Sequence, residues 1–277
     1  MKPMGRVSRI DQRFGELAVA KRAGLVTFIT AGDPSAEVSL QGMHALVKGG
    51  ADILELGVPF SDPMADGPTI QRASERALAN GMTLAKVLDL VTAFRRTDQR
   101  TPVVLMGYLN PIECMGYAAF AKCAAAAGVD GVLTVDLPPE EAQACQSEFA
   151  RYGLQQIYLL APTTDHVRIR TICAQASGFV YYVSVKGVTG DKAIDTADVG
   201  LRIRELKAQT SLPVGVGFGV RSPAVAAALA ACADAVIVGS VLVEIIEQHA
   251  ASPTEMCDAL TTFVARLRTA MDAPRAA

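Results

Sequence analysis

Short β-branched runs alternate with longer helix-like stretches along the whole chain, eight times over. The runs are LVTFIT (25–30), DILELG (52–57), PVVLMGY (102–108), GVLTVD (131–136), LQQIYLL (154–160), FVYYVS (179–184), LPVGVGF (212–218) and ADAVIVG (233–239). A strand that is apolar at nearly every position has both faces buried, the condition of a parallel sheet sheathed in helices. Eight such βα units favour an α/β fold closed into a (β/α)8 TIM barrel over a doubly wound open sheet. AEVSLQGMHALVKGG and MGYAAFAKCAAAAG end in glycine, the usual helix stop, and Ser222-Pro223 reads as an N-cap followed by proline at the first helical position. No linker rich in proline, serine or charge divides the chain, so residues 1–277 read as one domain. Ahead of the first strand, Ile10, Phe14 and Leu17 fall at helical spacing, which predicts an extra N-terminal helix over the barrel floor.

Composition removes several function classes. A formal net charge of −2 gives no basic face, so nucleic acid and anionic membranes are poor partners. The most apolar stretch, 223–243, is interrupted by Asp234, and no span reaches the ~20 apolar residues of a membrane helix. MKPMGRVSRIDQRFGEL is too charged for the apolar core of a signal peptide. The six cysteines are scattered without a Cys-x-x-Cys pair, which points to reduced thiols and a cytoplasmic protein. His44, His166 and His249 lack metal-ligand spacing, so no metal is expected.

The densest chemistry lies in DILELGVPFSDPMADGPTIQRA, residues 52–73. At a strand period of two, Ile53, Glu55 and Gly57 face one way and Leu54, Leu56 and Val58 the other. Glu55 therefore points where apolar side chains belong, and a carboxylate there must be protonated, hydrogen-bonded or used. A structural acid paired with a buried donor is the bland alternative. A second carboxylate, Asp66, in the following loop shifts the balance, because two acids in different environments can hold different protonation states. Asp62 beside Pro63 and Asp33-Pro34 read as turn chemistry, and Asp136 reads as structural although near the barrel mouth. Glycines recur after strands six, seven and eight, in Lys186-Gly187-Val188-Thr189-Gly190, Gly217-Phe218-Gly219 and Gly239-Ser240. Backbone N–H groups there, with a helix starting at GSVLVEIIEQ, make a phosphate cradle. Residues 185–200 form a long polar loop of the kind that serves as a lid. Lys186 offers a rival Schiff-base chemistry, set below the two-carboxylate reading because it adjoins a solvated glycine-rich loop.

These segments, with LMGYLNPI, GVDGVLTVDLPPEE, YYVSVKGVTG, GFGV and IVGS, resemble the tryptophan synthase alpha chain family, in order and over nearly the whole chain. The resemblance implies a lyase that splits indole-3-glycerol phosphate into indole and glyceraldehyde 3-phosphate. It implies Glu55 as the catalytic acid and base, and Asp66 as the acceptor of the indole N–H. Phe28, Leu105 and Tyr181 would line the substrate pocket, and Thr189 and Gly190 would belong to the closing loop. Gly190, Phe218, Gly219, Gly239 and Ser240 would hold the phosphate. It implies a beta chain as partner in an alpha2beta2 heterotetramer, with Pro59, Asp62 and Asn110 on the shared surface and Asp136 as a secondary site. The family uses no cofactor in this chain, pyridoxal phosphate (PLP) being confined to the beta chain. A stand-alone lyase releasing free indole is the alternative.

Overall fold

The computed structural model of the chain describes residues 8–184, 196–217 and 219–273. Eight strands, β1 (Gly24–Thr30), β2 (Ile53–Gly57), β3 (Val103–Gly107), β4 (Gly131–Thr134), β5 (Gln155–Leu160), β6 (Val180–Val183), β7 (Val214–Gly217) and β8 (Ala235–Val238), pair in parallel. Each neighbours its successor, and β8 returns to β1 through Gly24–Ala235 and Val26–Ile237, so the sheet closes as a barrel. Around it run α1 (Arg9–Val19), α2 (Ala36–Gly49), α3 (Pro68–Ala79), α4 (Leu84–Arg95), α5 (Leu109–Met115), α6 (Tyr117–Ala127), α7 (Gln143–Arg151), α8 (His166–Gln175), α9 (Thr196–Lys207), α10 (Pro223–Ala230), α11 (Ser240–Gln248) and α12 (Pro253–Asp272). The (β/α)8 barrel expected from the alternation is the observed architecture.

The period of two sorts every strand into two cores. Val26, Ile53, Val104, Leu133, Ile157, Phe179 and Ile237 fill the barrel interior. Their neighbours Leu25, Leu54, Leu56, Val103, Leu105, Val132 and Val236 pack outward against the helices. Helix α1 is the predicted floor helix: Ile10, Phe14 and Leu17 join the interior cluster, and the Phe14 ring lies 5.7 Å from that of Phe179. Ser8 caps α1 by accepting from the Ile10 N–H at 3.1 Å. Gly50 and Gly128 end α2 and α6 in the left-handed conformation, at φ 107° and 92°.

The floor also carries a fourfold device. A residue immediately before β2, β4 and β8, and three before β6, accepts a hydrogen bond from an N–H of the preceding odd strand. Asp52 takes Leu25, Asp130 takes Val103, Ser177 takes Gln156 and Asp234 takes Val214, at 2.8–2.9 Å. Each returns its own N–H to the carbonyl of the same residue. Two of the aspartates are buried and need a cation: Asp130 meets Arg95 and Arg9, both at 2.8 Å, and Asp52 meets Arg268 at 3.1 Å. These contacts order the floor end, leaving chemistry to the opposite rim.

One boundary differs from expectation. The polar stretch read as loop to residue 200 is helical from Thr196, because Val199, Ile203 and Leu206 form one buried face of α9. Residues 185–195 lie outside the described residues.

Candidate active site

Glu55 sits in the middle of β2, beside Phe28 of β1 and Val104 of β3 in the strand register, with its side chain inside the barrel. It is 1% exposed, and its Oε1 has no hydrogen-bond partner. Burial alone pushes its carboxyl up to about 8, so the acid keeps its proton near neutrality. Tyr181 projects inward from β6, the strand opposite β2 in the ring. Its hydroxyl is raised well above its ordinary value, by burial first and then by the charge of Glu55. Gly217 makes room for that ring, since a Cβ there would stand 2.5 Å from Tyr181 Oη. Gly57 does the same for Phe28, whose Cζ lies 2.6 Å from where a Cβ would be. Phe28 thus folds over the end of β2, next to Glu55.

The rim above is a cleft lined by Phe28, Gly57, Asp66, Ile70, Met106 and Tyr108 among others. Asp66 reaches it from the loop between β2 and α3. That loop is held by turns, with Met64 N–H on Asp62 O at 2.8 Å and Asp66 N–H on Pro63 O at 3.0 Å. Tyr108, at the end of β3, fixes it further: its Oη accepts from Ala65 N–H at 3.0 Å and donates to Asp66 Oδ2 at 3.1 Å. The Phe60 ring stacks on Tyr108 at 5.3 Å. Desolvation raises the Asp66 carboxyl and the Tyr108 hydroxyl pulls it back, so the half-buried acid differs in environment from sealed Glu55. One acid is held protonated in a greasy chamber and the other is tied to the rim as an acceptor.

Beyond Phe28, on the β8 side, lies the start of α11. Gly239 and Ser240 open this helix with no side-chain cap, and its hydrogen bonding begins with Leu242 N–H on Gly239 O at 2.7 Å, which leaves the Ser240 and Val241 N–H groups ahead of the first helical bond. A Cβ on Gly239 would meet Phe28 Cβ at 3.4 Å, which sets that helix end against the same aromatic ring. Gly219, exposed and at φ 80°, ends the β7 loop nearby in the chain order of the barrel. Thr189, Gly190, Phe218 and the rival Lys186 lie outside the described residues.

Two expected residues stand elsewhere. Leu105 packs outward against the helical shell with Val103 and Val132, and not into the cleft. Met106, one residue on, takes the inner position and lines the cleft. A one-residue shift along a strand exchanges its faces, which is why Leu105 is corrected to Met106. Pro59 is buried directly after β2, so it presents no free surface to a partner; Asp62, Asn110 and Met64, which is 81% exposed, do. Asp136 is exposed and accepts the Leu109 N–H at 2.8 Å, capping α5 just past Tyr108. Tyr108 and Met106 carried a sequence signal only in the phase of β3, where Val104 and Met106 alternate with Val103 and Leu105.

A larger hollow, about 500 Å3, opens at the floor between α1 and the ends of α9 and α10. Lysine and arginine side chains line it: Lys207 and Arg22, already paired with Asp234 and Asp272 at 2.7 Å, and Lys21. Size does not mark the chemistry here; the buried acid does. Among the described residues, no group of three or more His, Cys, Asp or Glu could hold a metal ion, and no single helix is long and apolar enough to cross a membrane.

Comparison with known proteins gives a consistent result. A family model described as tryptophan synthase alpha chain matches residues 14–272. The tryptophan synthase alpha chain of Laribacter hongkongensis is 56% identical over 267 residues, spanning 96% of this chain and 100% of that one. That of Ralstonia nicotianae is 55% identical over the same shares. Among solved structures, tryptophan synthase subunit alpha from Legionella pneumophila superposes with a TM-score of 0.90 at 44% identity, covering 96% of this chain and 99% of that one. A Mycobacterium tuberculosis tryptophan synthase structure gives a TM-score of 0.88 at 38% identity, over 97% and 100%.

Proposed function

This chain belongs to the tryptophan synthase alpha chain family, which cleaves indole-3-glycerol phosphate and supplies indole to a beta chain, and from that premise we propose that Glu55 and Asp66 carry the cleavage. The protonated Glu55 gives its proton to the indole carbon that bears the glycerol chain. The ring then holds positive charge, and the Asp66 carboxylate accepts its N–H and stabilises that cation. The Glu55 carboxylate next takes the proton of the side-chain hydroxyl. The carbon–carbon bond breaks, its electron pair returns to the ring, and indole and an aldehyde result. Glu55 ends as it began, protonated. The observation that carries this is the buried carboxyl with an unpartnered oxygen and a pKa raised to about 8, inside the barrel under the Asp66 rim.

Phe28, Met106 and Tyr181 form the apolar walls for the indole, with Gly219, Gly239 and Ser240 holding the phosphate at the start of α11; Thr189, Gly190 and Phe218 complete that cradle and its closing loop. The exposed loop residues Asp62 and Met64, with Asn110 on α5, are the surface offered to the beta chain, in an alpha2beta2 heterotetramer. The chain needs no cofactor of its own, PLP staying with the beta chain, and it works in the cytoplasm. Indole release from indole-3-glycerol phosphate tests the assignment. Glu55→Gln and Asp66→Asn fold but lose cleavage by orders of magnitude. The parent accelerates when a beta chain is added, whereas equal rates with and without it support a stand-alone lyase.

A further inference from the structure

The start of α11 lies against Phe28, which shares the cleft with Asp66, and one ionic cluster joins the helices that carry them. Arg76 of α3 sends Nε and Nη2 to the two carboxylate oxygens of Asp33, both at 2.8 Å, and Nη1 to Glu247 Oε1 at 2.7 Å. Arg72, one turn earlier, grips Glu247 with Nε and Nη2 at 2.9 and 2.8 Å. Asp33 is 1% exposed, in the turn that follows β1 and Phe28, so it needs its cation. Glu247 lies on the last turn of α11, the helix that opens at Gly239 and Ser240. On the same helix, Glu244 holds Arg221 of the segment after β7 at 3.0 Å.

A lone exposed ion pair contributes little. This one is bidentate on two sides, is networked, and includes a buried acid, which makes it geometrically specific. The hydrogen bonds from Arg72 and the charge of Arg76 hold the Glu247 carboxyl down to about 2, so Glu247 is ionised at every working pH. Helix α3 starts at Pro68, two residues past Asp66, and its Ile70 and Ser74 line the cleft. A tilt of α3 therefore moves the acid.

We propose that Glu247 is a positioning residue: through Arg72 and Arg76 it fixes α3, and with it Asp66, relative to the phosphate-binding start of α11. It touches no substrate. Phosphate held at one end of α11 thereby steadies Asp66. The inference rests on the reading of Asp66 and of the phosphate cradle given above.

Hydrogen exchange of the full chain, with inorganic phosphate as probe, tests it without turnover. In the parent, phosphate slows exchange in residues 240–248 and also in 64–72. In Glu247→Gln, phosphate affinity stays within about threefold and protection of 240–248 remains, while protection of 64–72 is lost. The same variant drops kcat about tenfold with KM within about threefold, and Glu247→Asp, which keeps the charge, recovers rate and protection. Protection of 64–72 that persists in Glu247→Gln, or that never arises in the parent beside protected 240–248, overturns the coupling alone. No protection at 240–248 overturns the phosphate cradle and the coupling together. Parent protein that couples the two segments yet releases no indole upholds the coupling and removes the catalytic reading.

Discussion

Tyr108 Oη donates to Asp66 Oδ2 at 3.1 Å across 42 residues of sequence, and so ties the end of β3 to the loop after β2. The hydroxyl favours the charged form of the acid, against the desolvation that raises it. Tyr108→Phe keeps the ring and its stacking on Phe60 but removes this donor and the acceptor for Ala65 N–H. The expected result is a loss of about tenfold in kcat, with the acid limb of the kcat/KM profile moved to higher pH. Steady-state rates from acid to neutral pH measure both, and an unmoved limb denies the link between the two residues.

The floor makes a separate claim about stability. Asp130→Ala leaves the buried Arg95 guanidinium without its ionic mate and costs about 3–5 kcal/mol. Ser177→Ala removes the equivalent neutral acceptor before β6 and costs about 1 kcal/mol. Urea unfolding with unchanged slope reads the difference directly. Both variants retain the KM of the parent, since the floor lies at the far end of the barrel from the cleft. Equal losses in the two would mean that the posts act only as hydrogen-bond acceptors.

Glu55 should also govern how stability varies with pH. A carboxyl raised from 4.5 to about 8 binds a proton in the folded chain where the unfolded chain has released it. Its contribution is therefore fully present below 4.5 and is lost as pH rises toward 8. Glutamine never ionises, so Glu55→Gln gains on the parent through that window, by on the order of 3 kcal/mol at pH 7. Denaturant titrations of both proteins at several pH values give the curve. Parallel curves would mean that the carboxyl is solvated or neutralised by other means.

The barrel was legible because its two signals are local. Strand phase fixes which residues point inward, and it turned Glu55 into the barrel from seven residues of sequence. The spacing of Ile10, Phe14 and Leu17 likewise gave the floor helix. Leu105 shows where local sequence is weak: the strand period converts a one-residue offset along LMGYLNPI into the opposite face. Pro59 failed for another reason, since loop sequence does not report depth. The clamp of Tyr108 on Asp66 and that of Arg72 on Glu247, 175 residues away, are contacts between distant segments that no periodicity encodes.

Burial keeps the Glu55 carboxyl protonated at neutral pH, ready to donate. Infrared difference spectra of the parent minus Glu55→Gln, taken from pH 4 to pH 10, isolate the carbonyl stretch of that one acid. The expected band is present at neutral pH and lost with a midpoint near 8. A midpoint near 4.5, the ordinary value for glutamate, would contradict it.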